Sequence, residues 1–113
     1  MIEIYNDKDL NYRFCLKAKS GHILLNSIGF TDRIQMNEAM NKLSAIAITR
    51  NHFERKTNHA GQFLFNLKDN NGNLIGRSQL YDSEMGMENG IKNLQNRIEA
   101  LRNGDGLKFV QNS

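Results

Sequence analysis

Cys15 stands between Arg13 and Lys17, and the alternation of this stretch puts all three side chains on one side of a strand. Neighbouring cations lower a thiol pKa, so a thiolate nucleophile is the chemistry that this spacing permits. No residue is obviously placed as its base, and an inert cysteine is the expectation. His22, His52 and His59 have no zinc-like spacing with each other or with the lone cysteine, and read as surface or turn histidines. Gly72-Asn-Leu-Ile-Gly76 falls in a hairpin, and Gly86-Met-Glu-Asn-Gly90 in a helix with no following Gly-Lys-Ser/Thr, so neither is a phosphate loop. Glu84, Glu88 and Glu99 read as a solvated helix face, and no Ser-His-Asp or paired-carboxylate signature stands out. The expectation is therefore a protein that is not an enzyme, with no catalytic residue, no metal ligand and no cofactor.

The elements that position these residues follow from periodicity. Ile2–Tyr5 alternates weakly as a short strand. Tyr12–Lys19 alternates cleanly, with Tyr12, Phe14, Leu16 and Ala18 on one side. Ser20-Gly21 predicts a turn, and 22–30 a returning strand. The period then changes: Met36, Ala39, Met40, Leu43, Ile46 and Ala47 form one face of a helix from about Asp32 to Ile48. Thr31 or Asp32 suits its start, and Arg50-Asn51 its end. The pattern begins again with a strand at 53–56, a strand through Phe63, Phe65 and Leu67, and a turn at 70–73. A return strand at 74–81 leads into a helix opened by Asp82 or Ser83, with face Met87, Gly90, Ile91, Leu94, Ile98 and Leu101. Met36, Met40 and Met87 read as core, Met85 as peripheral. Asn103-Gly104-Asp105-Gly106 predicts the stop, and 107–110 a last strand.

Slid on itself by fifty-one positions, the chain registers without a gap. Phe14 falls on Phe65, Leu16 on Leu67, Lys17 on Lys68, Gly21 on Gly72, Ser27 on Ser78, Met36 on Met87 and Leu43 on Leu94. Turn aligns with turn and helix face with helix face, which gives the identities weight. The expected fold is α+β. It is one domain, 1–113, of two tandem β-β-β-α(-β) repeats, about 1–51 and 52–110. They form a single mainly antiparallel sheet with two helices packed on one face.

Turns centred on Ser20-Gly21 and Asn71-Gly72 set a register. Leu16 faces Leu25, Phe14 faces Ser27, Tyr12 faces Gly29, Leu67 faces Gly76, Phe65 faces Ser78 and Phe63 faces Leu80. Cross-strand partners share a face. The face away from the helices then holds Arg13, Cys15, Lys17, Leu24, Asn26 and Ile28, with Leu64, Asn66, Lys68, Ile75, Arg77 and Gln79. Of these, Arg13, Lys17, Leu24, Ile28, Leu64, Lys68, Ile75 and Arg77 are the candidate interaction residues. Leu24, Ile28, Leu64 and Ile75 together would make an apolar patch unusual on a monomer.

Composition sets the outer bounds. The 113 residues are 39% hydrophobic and 24% charged, as in a soluble globular domain. No apolar run approaches the roughly 20 residues that span a bilayer, and the first residues do not read as a signal peptide. The single cysteine favours a reducing, cytoplasmic setting. The net charge of +3 is spread over both halves, with no basic tail or stripe.

The segment 61–91 resembles the YegP-like family of small bacterial and archaeal proteins of unknown function. Gly61, Gln62, Phe63, Phe65, Leu67, Lys68, Asn71, Gly72, Ile75, Ser78, Tyr81, Gly90 and Ile91 match its motif. The first copy keeps Phe14, Leu16, Lys17, Ala18, Gly21, Ser27 and Phe30, but has Leu10-Asn11 for Gly-Gln and Ala39 for the helix glycine. The resemblance implies units that exchange terminal strands within one sheet, with 107–110 as the closing strand. It brings no catalytic residues. A non-enzymatic binding or assembly module is expected, whose partner is another protein or a second copy, with no membrane role. The alternative is RNA or single-stranded DNA binding through Arg13, Lys17, Lys68 and Arg77. It ranks second because Phe63 and Phe65, which bases would stack on, point the other way.

Overall fold

The computed structural model describes residues 2–45, 52–102 and 109–111. Its elements are β1 (Ile2–Asn6), β2 (Tyr12–Lys17), β3 (Ile23–Ser27), α1 (Arg33–Ala45), β4 (Phe53–Thr57), β5 (Phe63–Lys68), β6 (Leu74–Arg77), α2 (Glu84–Arg102) and β7 (Phe109–Gln111). The strands make one sheet in the order β4-β5-β6-β3-β2-β1-β7. Six of them run antiparallel to their neighbours, and β7 joins β1 in parallel. The fold is α+β, as expected. Ile46, Ala47, the helix end at Ile48 with Arg50-Asn51, the stop at 103–106 and Leu107 lie outside the described residues.

Both helices cover one face. Met36, Met40 and Leu43 of α1 and Met87, Ile91, Leu94 and Ile98 of α2 share one apolar cluster with Phe14, Leu16, Leu25, Phe65 and Leu67. Each fully buried side chain of this size contributes roughly 1.5–3 kcal/mol. The helix starts are capped: the Gln35 N–H donates to Asp32 Oδ1 (2.8 Å), and the Gly86 N–H to Ser83 Oγ (3.0 Å).

Four turns share one hydrogen-bond pattern. In the best preserved, the Gly72 N–H donates to the Asp69 carbonyl and the Asp69 N–H to the Asn73 carbonyl. The same pair of bonds recurs at 7–11, 18–22 and 58–62. The fourth residue of each turn has a positive φ: Leu10 (64°), Gly21 (91°), Gly61 (79°) and Gly72 (82°). Asp7, Asn58 and Asp69 each accept two further backbone N–H groups on Oδ1, while Ala18 has no such oxygen.

These turns correct the expected register. They hold one residue more than a two-residue turn, so Lys17 pairs with Ile23 and Lys68 with Leu74. Leu24 and Ile75 become the extra residues of two bulges, and their side chains join the helix-covered core, at 4% and 3% exposure. The middle of each hairpin is as expected, with Leu16 opposite Leu25 and Leu67 opposite Gly76.

The register slips again at the far ends. Tyr12 meets Phe30 rather than Gly29, and Phe63 meets Tyr81 rather than Leu80. Two buried serines sit at these slips. Ser27 Oγ accepts the Phe14 N–H and donates to the Ile28 carbonyl; Ser78 Oγ accepts the Phe65 N–H and donates to the Gln79 carbonyl. Each hydroxyl stands in for a missing ladder carbonyl.

Candidate interaction face

One row of side chains crosses the face away from the helices. Glu54 of β4, Asn66 of β5, Arg77 of β6, Asn26 of β3, Cys15 of β2 and Glu3 of β1 stand directly opposite one another in turn. At one end the Arg77 Nε–H donates to Asn66 Oδ1 (2.9 Å), and Asn66 Nδ2 donates to Glu54 Oε1 (3.0 Å). Lys68 Nζ reaches Glu54 Oε2 at 3.0 Å. At the other end Lys17 Nζ lies 2.8 Å from Glu3 Oε2. Arg13 is held twice, by Asp7 Oδ2 at 2.6 Å and by the Ser27 carbonyl at 2.9 Å.

The carboxylates respond to these partners. Hydrogen bonds from Asn66 and then Lys68 hold Glu54 at about 2, below the ordinary 4.5. Lys17 lowers Glu3, and Arg13 lowers Asp7. Burial, then the Glu3 charge, pushes the Cys15 thiol up. Cys15 is 3% exposed, with its Sγ 3.8 Å from Glu3 Oε2. These surroundings oppose a thiolate, in keeping with the inert reading.

The eight candidate residues thus separate. Arg13, Lys17, Lys68 and Arg77 lie on the open face. Arg13, Lys17 and Lys68 are each paired with a carboxylate, and Arg77 is bonded to an amide. Leu24 and Ile75 face the helices, because the bulges turn them over. Leu64 is buried on the open side at 8% exposure, and Ile28 is half-buried beside the serine slip. The expected patch of four aliphatic residues does not form. Sequence reasoning missed Glu3, Asp7 and Glu54, which bring the neutralising charge. The alternation Ile2-Glu3-Ile4 was the available signal, since it places Glu3 opposite the core face once β1 is paired with β2.

Between β3 and β6 the open face holds a cavity of about 370 Å³, lined by residues that include Arg13, Asn26, Ile28, Leu74 and Arg77. Among the described residues no group of three or more His, Cys, Asp or Glu is arranged to hold a metal ion, and His52 Nε2 lies 2.7 Å from Asn70 Oδ1. Among them, too, no helix is long and apolar enough to cross a membrane.

A single sheet with two helices is an arrangement that solved structures of similar proteins match. Residues 58–100 match the family described as "Domain of unknown function (DUF1508)". The chain is 38% identical over 94 residues to a UPF0339 protein from the ptx operon 5' region of Stutzerimonas stutzeri, covering 83% of this chain and 85% of that one. It is 31% identical over 93 residues to YegP of Escherichia coli K12, covering 82% and 84%. The solution structure of E. coli YegP superimposes with a TM-score of 0.82 at 29% identity, over 98% of this chain and 90% of that one. That of SO3888 from Shewanella oneidensis gives 0.82 at 23% identity, over 97% and 88%, and speaks to the fold alone. The chain belongs to the UPF0339 family, the YegP-like proteins of unknown function.

Proposed function

We propose that the protein is a non-enzymatic binding module, built from two tandem β-β-β-α(-β) units, whose open sheet face docks a protein partner carrying an acidic side chain. Support for the tandem reading is the recurrence of turns, serine bridges and ion pairs at one spacing. Glu3–Lys17 recurs as Glu54–Lys68, and Ser27 as Ser78. The placement of β7 beside β1 supports exchange of terminal strands.

The observation that carries the function is the partner of Arg77. Arg13, Lys17 and Lys68 each have a carboxylate, whereas the guanidinium of Arg77 is bonded to the neutral amide of Asn66. Arg77 lines the cavity with the aliphatic side chains of Ile28 and Leu74. A carboxylate flanked by an apolar residue complements that site in charge and in surface. Nucleic acid is less favoured, because most cations of this face are already neutralised and the rings of Phe14 and Phe65 are buried under the helices.

The test is affinity purification from an extract of the native host with the wild-type chain and with Arg77→Glu, followed by reconstitution with the purified partner. Arg77→Glu is expected to keep the wild-type fold, read from its amide spectrum, and to weaken the reconstituted complex at least tenfold. Equal binding by both chains overturns the reading. Salt-sensitive binding of RNA or single-stranded DNA that depends on Arg77 replaces it with the nucleic-acid alternative.

A further inference from the structure

Three of the four equivalent turns carry their own carboxylate or amide oxygen. Asp7 Oδ1 accepts the N–H groups of Asp9 and Asn11; Asn58 Oδ1 those of Ala60 and Gln62; Asp69 Oδ1 those of Asn71 and Asn73. In the turn between β2 and β3 the corresponding residue is Ala18, so the N–H groups of Ser20 and His22 lack that acceptor. The comparison with Asp69 is closest, since it occupies the same place in the second half. The Asp69 carboxylate also meets a cation of the overlying helix, Lys42 Nζ, at 3.8 Å.

At the Ala18 turn the helix supplies a cation as well. Ala18, Lys19, Ser20 and Leu24 line a cavity of about 480 Å³ together with Asn93, Asn96, Arg97 and Ala100 of α2. The Nε–H of Arg97 is buried and, among the described residues, finds no acceptor. A buried charged donor without a partner is costly and calls for an explanation. The turn thus lacks one carboxylate where Ser20, Lys19 and Arg97 line the same space, with His22 at the end of the same turn.

We infer that this cavity is a binding site for a small carboxylate with a short apolar body, the ligand's carboxylate taking the place that Asp69 fills in the other half. The carboxylate oxygens accept from the Ser20 and His22 N–H groups and from Arg97, with Lys19 adding charge at the rim. The apolar body rests on Ala18, Leu24 and Ala100. The cavity is large enough for a chain of several carbons and is lined by few charges beyond these, which fits a monoanion rather than a polyphosphate.

Titration of the 15N-labelled protein with sodium hexanoate tests this, with hexanamide and inorganic phosphate as controls. Hexanoate is expected to shift the Ser20 and His22 amide signals in a saturable manner. Hexanamide should shift them at least tenfold more weakly. Ala18→Asp supplies the oxygen from within, so it should raise the melting temperature and weaken hexanoate binding at least tenfold. Arg97→Gln should weaken binding without moving the Ala18→Asp melting temperature below that of the wild type when the two are combined. Undiminished hexanoate binding by Ala18→Asp, equal shifts with hexanamide, or no saturable shift at all overturns the proposal. Phosphate binding stronger than hexanoate binding overturns the assignment of a carboxylate.

Discussion

Tyr81 lies across Gly90. A methyl group added at Gly90 would fall 2.6 Å from Tyr81 Cζ and 3.2 Å from Cε1. The Tyr81 hydroxyl is buried and, among the described residues, unbonded. In the other half the corresponding pair is Phe30 and Ala39, which line one cavity together. Where the ring has lost its hydroxyl, the helix carries the methyl. Gly90→Ala is therefore expected to destabilise by about 1–3 kcal/mol through overpacking. Tyr81→Phe alone is expected to stabilise by about 1 kcal/mol, by removing an unsatisfied buried group. Urea unfolding of both single variants and the double variant measures this, and the double should lose less than the sum by more than about 0.5 kcal/mol.

Ser27 and Ser78 bridge the ladder where it slips. Replacing either by alanine leaves a buried N–H, of Phe14 or Phe65, without its acceptor. A loss of about 1–3 kcal/mol is expected for each in urea unfolding. Amide exchange should quicken at Phe14 for Ser27→Ala and at Phe65 for Ser78→Ala.

Leu10 holds a φ of 64°, in the region that Gly61 occupies at the equivalent turn, and its side chain is 77% exposed. A branched residue is strained there and gains nothing from burial. Leu10→Asn is expected to raise stability by about 0.5–1 kcal/mol, read as a higher urea midpoint. Gly61→Leu should lower it.

Glu54 titrates at about 2 in the folded chain against the ordinary 4.5, because Asn66 and Lys68 bond its charged form. The folded-state value lies below that of the unfolded chain. Its contribution to stability is thus present above about pH 4.5 and is lost as the pH falls toward about 2. Glu3, Asp7 and Asp69 shift in the same direction. Urea midpoints measured between pH 5 and pH 2 should fall, and Glu54→Gln should flatten that fall. Carbon-detected titration should place the Glu54 inflection below those of exposed glutamates.

Element type was legible because period two and period 3.6 are written directly in the apolar residues. Phe14, Leu16, Phe65 and Leu67 were placed on the core face for that reason, as were Met36, Met40 and Met87. Face assignment failed at Leu24 and Ile75. A single extra residue in the turn is absorbed by a bulge that turns over the one side chain beside it, and Gly21 or Gly72 fits a longer loop as readily as a shorter one. The ion pairs of the candidate face were hidden for a different reason. Glu3 and Glu54 come from strands whose alignment on β2 and β5 depends on turns at Asp7–Asn11 and Asn58–Gln62. Leu10, at the positive-φ position of the first, gives no glycine signal.

The parallel pairing of Ile2 with Phe109 closes the sheet across more than one hundred residues. Until β7 is in place, the outer rim of β1 has no neighbouring strand. Closure of so long a loop is entropically slow, and an unclaimed strand rim invites a neighbouring nascent chain. Seating of β7 on β1 therefore covers the strand rim that would otherwise be open to pairing with another chain.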